Sequence, residues 1–202
     1  MMECISLCRR EINREALTTM NQTAPFTFRQ ARSEDAEFLV HLVNSAYRGE
    51  SSRAGWTTEA DFLDGQRTDE QEIRALIEAE HSMILLCLQG TEIIASVNLQ
   101  KAGDAAYLGM LVSRPDIQGQ GIGKHLMQAA EAVVQAEWGV RKIEMTVITL
   151  RSELIAFYER RGYRRTGIIK PFPTAVRFGI PRIEGLQFEV LEKELTSNAN
   201  AN

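Results

Sequence analysis

The sequence feature that most constrains the fold of this chain is a glycine-rich loop between an apolar segment and a periodic one. In residues 118–124, QGQGIGK, three glycines stand at alternate positions. From there Ile122, Leu126 and Val133 recur at the spacing of an amphipathic helix. Glycines at a helix start leave backbone N–H groups accessible, and these groups together with the helix dipole attract anions. The loop therefore predicts a phosphate-binding turn that leads from a strand into a helix.

Two common phosphate-binding loops do not fit this stretch. A Walker A loop needs GxxxxGK followed by serine or threonine, whereas His125 follows Gly123-Lys124 and Gln118 stands in place of the first glycine. A dinucleotide fingerprint, GxGxxG, needs its last glycine where this chain has Lys124 or Leu126. The loop must belong to another class of phosphate site.

Strand-like segments dominate the rest of the chain. They alternate or run apolar over short lengths between turn residues, and Gly90 and Gly103 mark turns between three consecutive ones. The predicted strands cover residues 26–31, 82–89, 92–100, 106–113, 141–150, 163–169 and 186–195. This order predicts an α+β fold, with an antiparallel meander followed by a strand–helix–strand unit.

Four further helices are predicted from capping residues and periodicity. Ser33 is expected to cap the first, residues 55–80 are expected to hold a short and a longer helix, and Thr68 with Gln71 predicts a capping box for the longer one. Residues 152–161 form a short amphipathic pattern that ends at Gly162, which suits the residue after a helix.

The composition of the 202-residue chain limits its partners. A net charge of −4 argues against a nucleic-acid partner, which usually leaves a basic footprint. The longest apolar run, residues 83–88, is too short to span a bilayer, so no membrane partner is expected. Because Cys4, Cys8 and Cys87 form no CxxC pair, we expect a cytoplasmic protein without a metal site.

The pattern also predicts the domain organisation. Residues 1–24 lack the strand–helix alternation of the later residues and are expected to be an N-terminal extension. Residues 25–195 form one domain, and the small polar residues of 196–202 predict a disordered tail.

The glycine loop and its surroundings resemble the GCN5-related N-acetyltransferase (GNAT) superfamily. The loop reads Q-x-x-G-x-G from Gln118 and follows a strand that ends in a proline. The resemblance continues through the 141–150 strand to Phe157-Tyr158 and Gly162-Tyr163, and covers roughly residues 26–194. It implies a GNAT-like acyl-CoA N-acyltransferase fold, in which helices flank a central mixed, mostly antiparallel sheet.

The resemblance also implies acetyl-CoA as co-substrate. In this family the strand before the loop splays from the next parallel strand, and the pantetheine arm enters the gap. The implied pantetheine contacts are Leu111, Val112 and Ser113, and the implied pyrophosphate contacts are Gln118, Gly119, Gln120, Gly121, Ile122, Gly123 and Lys124. Tyr158 matches the tyrosine that protonates the CoA thiolate, whereas Arg151 and Ser152 replace the family's pantetheine-binding asparagine.

The acceptor side is less clearly marked. An alkylammonium with a pKa of about 10 must lose its proton before it attacks, so a base is needed. Glu144 is the candidate base, and Tyr107 acting through water is the alternative. The acidic 47–70 segment is expected to attract a cationic amine, and the predicted acceptor-binding residues are Tyr47, Trp56, Glu59 and Phe172.

These observations predict an acetyl-CoA-dependent N-acetyltransferase that acts on a primary amine of a small molecule or a peptide N-terminus. Attack would be direct, in a ternary complex, and a homodimer is possible. A longer acyl donor is left open. The alternative from another class is a non-catalytic acyl-CoA-binding or sensory module of the same fold, and Tyr158 favours the enzyme because binding alone needs no thiolate acid.

Overall fold

A computed structural model describes residues 26–55, 58–173, 175 and 179–196. The predicted N-terminal extension, Trp56 and the tail beyond Thr196 lie outside these residues.

A seven-stranded sheet forms the centre of the described domain. Its strands are β1 (Thr27–Gln30), β3 (Ser82–Gln89), β4 (Glu92–Ala102), β5 (Ala105–Ser113), β6 (Lys142–Ile148), β7 (Arg164–Pro171) and β9 (Gln187–Glu194). They lie in the order β1-β3-β4-β5-β6-β9-β7, and among the described strands only β5 and β6 pair in parallel. Two short strands, β2 (Leu63–Asp64) and β8 (Ile180–Pro181), pair separately. The predicted mixed, mostly antiparallel sheet is confirmed.

Helices cover both faces of the sheet. They are α1 (Ala36–Tyr47), α2 (Gly49–Ser52), α3 (Glu70–Glu78), α4 (Ile122–Trp138) and α5 (Ser152–Glu159). Helices α4 and α5 share one apolar core with the sheet, and α1 and α3 share a second core on the other face. In β3, Leu85 lies in the first core and Leu86 in the second, which explains why this strand is a continuous apolar run.

Two predicted helix caps are wrong by one or two residues. A 3₁₀ turn, Ser33–Asp35, precedes α1, and the Asp35 carboxylate rather than Ser33 accepts the Arg32 N–H at 2.7 Å. At α3 the cap is Asp69, whose carboxylate accepts the Glu72 N–H at 2.8 Å. The carboxylates are favoured because each brings a full negative charge to a helix start.

A bulge divides β5 into two parts. Between the pairs Ser96↔Val112 and Asn98↔Gly109, β5 has one residue more than β4. Met110 takes a φ of +48°, a conformation uncommon for a residue with a side chain. An extra residue bends a strand and raises its local twist. The bulge therefore turns the end of β5 away from its first half.

In the described residues, no helix has the length and apolar character needed to cross a membrane.

Candidate functional site

A gap opens in the sheet where β5 and β6 part. The two strands pair only from Ala105↔Lys142 to Tyr107↔Glu144. Beyond that point β5 remains paired to β4 through the bulge, while β6 continues along β9 to Ile148. The parting of the strands implied by the sequence resemblance is thus present, and it exposes one main-chain edge of β5.

A cavity of about 290 Å³ extends from this gap to the glycine loop. It is lined by Tyr47, Leu111, Val112, Ser113, Gln118, Gly119, Gly121, Ile122, Gly123, Lys124, Arg151, Leu154, Phe157, Tyr158 and Arg161. Three of the described lining residues are cationic and none is acidic. This first cavity is therefore suited to an elongated anionic ligand.

The glycine loop presents backbone donors at one end of the first cavity. Gly119 and Gly121 have φ values of +88° and +78°, which glycine adopts without strain. The α4 ladder begins with the His125 N–H donating to the Gly121 carbonyl at 3.1 Å, so the three N–H groups before it have no helical acceptor. His125 Nδ1 also lies 3.0 Å from that carbonyl. The arrangement fits a pyrophosphate group.

The predicted cofactor residues are brought together with one exception. All of the predicted positions from 111–113 and 118–124 line the first cavity except Gln120, whose side chain is exposed.

Sequence reasoning missed the aromatic and cationic wall contributed by α5. A Cβ on Gly123 would lie 3.5 Å from the Phe157 ring, so the helix and the loop are in close contact. The Arg161 guanidinium lies over the Phe157 ring, 3.3 Å from its centroid, and donates to the Phe157 carbonyl at 2.6 Å. An aromatic residue with an arginine four positions later at the end of a helix was the available signal.

A second cavity of about 50 Å³ lies on the other side of the gap. Its described lining includes Glu59, Leu108, Gly109, Met110, Met145, Thr146, Val147, Ile148 and Phe188. Five residues line both cavities: Tyr47, Leu111, Arg151, Leu154 and Tyr158. The two cavities therefore meet at these side chains.

Tyr158 occupies this junction on α5. Its ring packs edge-on against Phe157 and Tyr163, with centroid distances of 5.4 and 5.9 Å. Burial raises the pKa of its phenol well above the ordinary value near 10, and the neighbouring Tyr47 acts in the same direction. The phenol is therefore a neutral hydrogen-bond donor throughout the physiological range.

Tyr47 faces Tyr158 from the end of α1. Its hydroxyl donates to the Leu111 carbonyl at 3.1 Å, directly in the bulged part of β5. Burial, followed by the nearby Glu59 charge, raises the pKa of Tyr47 to about 12. The predicted acceptor residue thus also fixes the strand that forms the gap.

Glu59 lies at the second cavity, but its charge is already paired. It is buried, not on a helix surface, and its carboxylate binds Arg48 and, at 3.3 Å, Arg151. Other carboxylates of the segment also bind arginines: Asp61 binds Arg53 at 2.8 Å, Asp64 binds Arg182 at 3.2 Å and Glu70 binds Arg74 at 2.7 Å. Because these four carboxylates are already paired with arginines, the structure gives no support to the expectation that they attract a cationic amine.

Glu144 is placed outside the site. It pairs with Tyr107 at the closed end of the gap, lines neither cavity and binds Lys142 Nζ at 2.7 Å. Tyr107 also lies outside both linings, with its hydroxyl 2.8 Å from that of Thr146. The structure therefore supports neither residue as a base in contact with the acceptor.

The remaining predicted acceptor residues are separated. Trp56 lies outside the described residues. Phe172 lines neither cavity but packs on Phe188, a lining residue, with a centroid distance of 5.1 Å. Phe172 therefore packs against the outer side of a residue that lines the second cavity.

Comparisons with known proteins agree with this geometry. A sequence model described as the acetyltransferase (GNAT) family matches residues 36–163. No curated protein sequence matches this chain.

Solved structures share the fold at low identity. The ribosomal-protein-S18-alanine N-acetyltransferase from Escherichia coli has a TM-score of 0.63 at 17% identity, over 88% of this chain and 99% of its own. The putative acetyltransferase yncA from Salmonella typhimurium, solved with its cofactor acetyl-CoA, has a TM-score of 0.63 at 15% identity, over 88% and 98%. A chimera of the spermidine N-acetyltransferase SpeG from Vibrio cholerae and hSSAT has a TM-score of 0.63 at 14% identity, over 85% and 96%.

Proposed function

Since the chain belongs to the acetyltransferase (GNAT) family, we propose that it is an acetyl-CoA-dependent N-acetyltransferase, with its catalytic domain over residues 25–195. The acceptor would be a primary amine of a small molecule or peptide N-terminus, attacking directly in a ternary complex. We also propose a cytoplasmic location, in keeping with the cysteine pattern.

The observation that carries the proposal is the single path from the glycine loop, through the parted strands, to Tyr158. The loop offers main-chain donors and Lys124 to a pyrophosphate. The edge of β5 at 111–113 has lost its β6 partner and offers main-chain groups to a pantetheine amide. The residues present therefore fit acetyl-CoA, which would supply the activated acetyl group.

The reacting centre would lie where the two cavities meet. Negative charge develops on the acetyl carbonyl oxygen during attack, and a strand N–H near Leu111 is a suitable donor because β6 does not pair with it. Because the sheet holds this N–H group in place, it does not have to move or reorient as the negative charge develops.

Tyr158 would stabilise the leaving thiolate. A thiol has a pKa of about 8.5, below that of a phenol, and burial raises the pKa of Tyr158 further. Full proton transfer to the thiolate would therefore be uphill, so Tyr158 serves as a hydrogen-bond donor. The proton that finally neutralises the thiolate comes from the ammonium formed by attack.

The size of the second cavity supports acetyl as the transferred group. Its volume is about 50 Å³, and a cavity measured in this way needs roughly 10–15 Å³ to hold one water molecule. The cavity thus has room for a short acyl group.

The test is release of free thiol from acetyl-CoA, measured with and without a mixed panel of amines. Amine-dependent release that also yields the N-acetylated amine supports the proposal. Tight binding of acetyl-CoA with no amine-dependent release would instead favour a non-catalytic acyl-CoA-binding module.

A further inference from the structure

Four arginines lie in residues 160–165, RRGYRR, and only two of them are paired with acids among the described residues. The last two, Arg164 and Arg165, each bind a carboxylate at 3.0 Å. The first two, Arg160 and Arg161, form no ion pair with any residue that the structure describes. Arg160 is exposed to solvent, whereas Arg161 is half-buried and lines the first cavity. Arg161 is therefore a cation that faces a cavity without a counter-charge from the described part of the chain.

The guanidinium of Arg161 is also incompletely hydrogen-bonded. Its Nη1 donates to the Phe157 carbonyl at 2.6 Å, whereas its Nε is buried and has no partner in the described ranges. Burial lowers the pKa of Arg161 from its ordinary value, and the adjacent charge of Arg160 lowers it further. The group still keeps its charge, because arginine is not deprotonated in proteins. A cation withdrawn from water without a counter-charge costs free energy, so an anion that reaches it binds favourably.

The position of Arg161 indicates which part of a ligand it meets. The guanidinium lies over the Phe157 ring, and a Cβ on Gly123 of the glycine loop would lie 3.5 Å from the same ring. Unlike Tyr158, neither Phe157 nor Arg161 lines the second cavity. Arg161 is thus beside the pyrophosphate turn and away from the junction of the two cavities. The main-chain donors of the loop and Lys124 already serve the pyrophosphate, so Arg161 remains for a second anionic group.

We propose that Arg161 binds the 3′-phosphate of the CoA ribose and makes the protein select CoA over donors that lack this group. The inference rests on the proposed function, because it takes acetyl-CoA as the occupant of the first cavity. A phosphate monoester carries between one and two negative charges at neutral pH and offers several acceptor oxygens to a guanidinium. The adenine ring has acceptors but no charge, so it would leave the cation uncompensated.

The first experiment measures binding without turnover. The native protein is titrated by calorimetry with CoA and with 3′-dephospho-CoA, which differs only in lacking this phosphate. We expect 3′-dephospho-CoA to bind roughly tenfold to a hundredfold more weakly, in the range of a charged hydrogen bond. Equal affinities for the two compounds would overturn the inference.

The second experiment assigns the preference to a side chain. In Arg161→Gln, CoA should bind about as weakly as 3′-dephospho-CoA, while the affinity for 3′-dephospho-CoA should stay near the native value. The matched control is Arg160→Gln, which removes the same charge from the next residue, whose side chain lies outside the first cavity. This control should keep most of the preference, since an exposed charge is screened by salt.

Two results with these variants would contradict the role given to Arg161. An equal loss of preference in Arg160→Gln and Arg161→Gln would assign it to the positive charge of the whole run. An equal weakening of CoA and 3′-dephospho-CoA in Arg161→Gln would place the guanidinium at the pyrophosphate or the adenine instead. If Arg161→Gln does not fold, Arg161→Lys takes its place and should keep only part of the preference, because lysine keeps the charge but loses the paired donors. A full native preference in Arg161→Lys would then overturn the inference.

Turnover separates this inference from the proposed function. Acetyl-CoA and acetyl-3′-dephospho-CoA are compared as donors at a saturating concentration of an accepted amine. The phosphate lies far from the reacting carbonyl, so its loss should raise KM for the donor with little change in kcat, as expected for uniform binding. Equal KM values with efficient acetylation would overturn the inference and leave the N-acetyltransferase standing. Selective binding of CoA with no amine acetylated would overturn the proposed function and leave the phosphate site.

Discussion

The Tyr47 hydroxyl donates a hydrogen bond to the Leu111 carbonyl at 3.1 Å, across 64 positions of sequence. This contact joins the end of α1 to the bulged part of β5, where both cavities meet. It gives the Leu111 carbonyl a hydrogen-bond donor at a point where β5 has no β6 partner. A side chain from helix α1 thus stabilises β5 at the point where it parts from β6.

Tyr47→Phe should therefore affect both stability and catalysis. Loss of this hydrogen bond should lower the free energy of unfolding in urea by about 1 kcal/mol. Displacement of the strand should lower kcat/KM by roughly tenfold to a hundredfold. Tyr163→Phe is the control, because it also loses one hydroxyl contact, to Glu131, and Tyr163 lines neither cavity. Equal kinetic effects in the two variants would contradict the role given to Tyr47.

Gly121→Glu should abolish acetyl-CoA binding, because a side chain here hinders close approach of the loop's main chain to the pyrophosphate and adds a negative charge beside it. Gly139→Glu is a matched control at the other end of α4, since Gly139 also has a positive φ, +63°, and has no neighbour within 4 Å of an added Cβ among the described residues. Both variants should lose about 1–2 kcal/mol of stability from the left-handed conformation. Calorimetry should show loss of binding only for Gly121→Glu, and near-normal affinity there would rule out the loop as the pyrophosphate site.

Tyr158→Phe tests the leaving-group donor. We expect the acetyl-transfer rate to fall by about 10²-fold, with little change in acetyl-CoA affinity because the ring is kept. The control is Tyr163→Phe, on the ring that packs against Tyr158. The Tyr163 hydroxyl binds Glu131 and the residue lines neither cavity, so this variant should leave the rate within a factor of two. If both variants lower the acetyl-transfer rate by a similarly small factor while the chemical step is rate-limiting, the Tyr158 hydroxyl has no catalytic role and the residue serves only in core packing.

Much of the fold could be predicted because its signals are local. The predicted strand 82–89 coincides with β3, and Gly90 and Gly103 occupy the expected turns with positive φ. The glycine loop was equally predictable, since it depends on backbone freedom and helix capping within one short stretch.

The faces of β5 could not be predicted, because the bulge reverses the alternation of its side chains. Leu108 packs with α4 and α5, whereas Met110, two residues later, packs with α1 and α3. An uninterrupted strand would place both on one face. The alternating pattern around the bulge gives no sign of the extra residue.

The sequence did not predict the ion pairs that Glu59 forms with Arg48 and Arg151, and the reason is different. In the sequence, Arg151 is an arginine before a short helix and Glu59 is one acid among several. Only the fold brings them together, across 92 positions. The net charge of the 47–70 segment therefore did not indicate that Glu59, Asp61, Asp64 and Glu70 have arginine partners.

The pH dependence of the rate follows from the two buried tyrosines. The pKa of Tyr47 is raised to about 12, and burial raises that of Tyr158 above its usual value, so both remain protonated as pH rises to 10. The amine must be deprotonated to attack, so kcat/KM for the acceptor should rise with pH and level off at the pKa of the amine. A loss of activity between pH 8 and pH 10, in protein that is still folded, would show that one of these phenols ionises earlier.

The small second cavity predicts strong selection for a short acyl donor. A butyryl group adds two methylenes to a space of about 50 Å³ that already receives the acetyl group. Forcing extra methylenes against the surrounding side chains typically costs about 1–3 kcal/mol, so kcat/KM for butyryl-CoA should be roughly tenfold to a hundredfold below that for acetyl-CoA. Met145→Ala enlarges this cavity from the β6 side and should narrow the difference, whereas Ile143→Ala, a buried truncation on the same strand outside the lining, should not. Free CoA lacks the acyl group, so its affinity should be unchanged in both variants. Equal use of acetyl-CoA and butyryl-CoA by the native protein would mean that the acyl group is not received in this cavity.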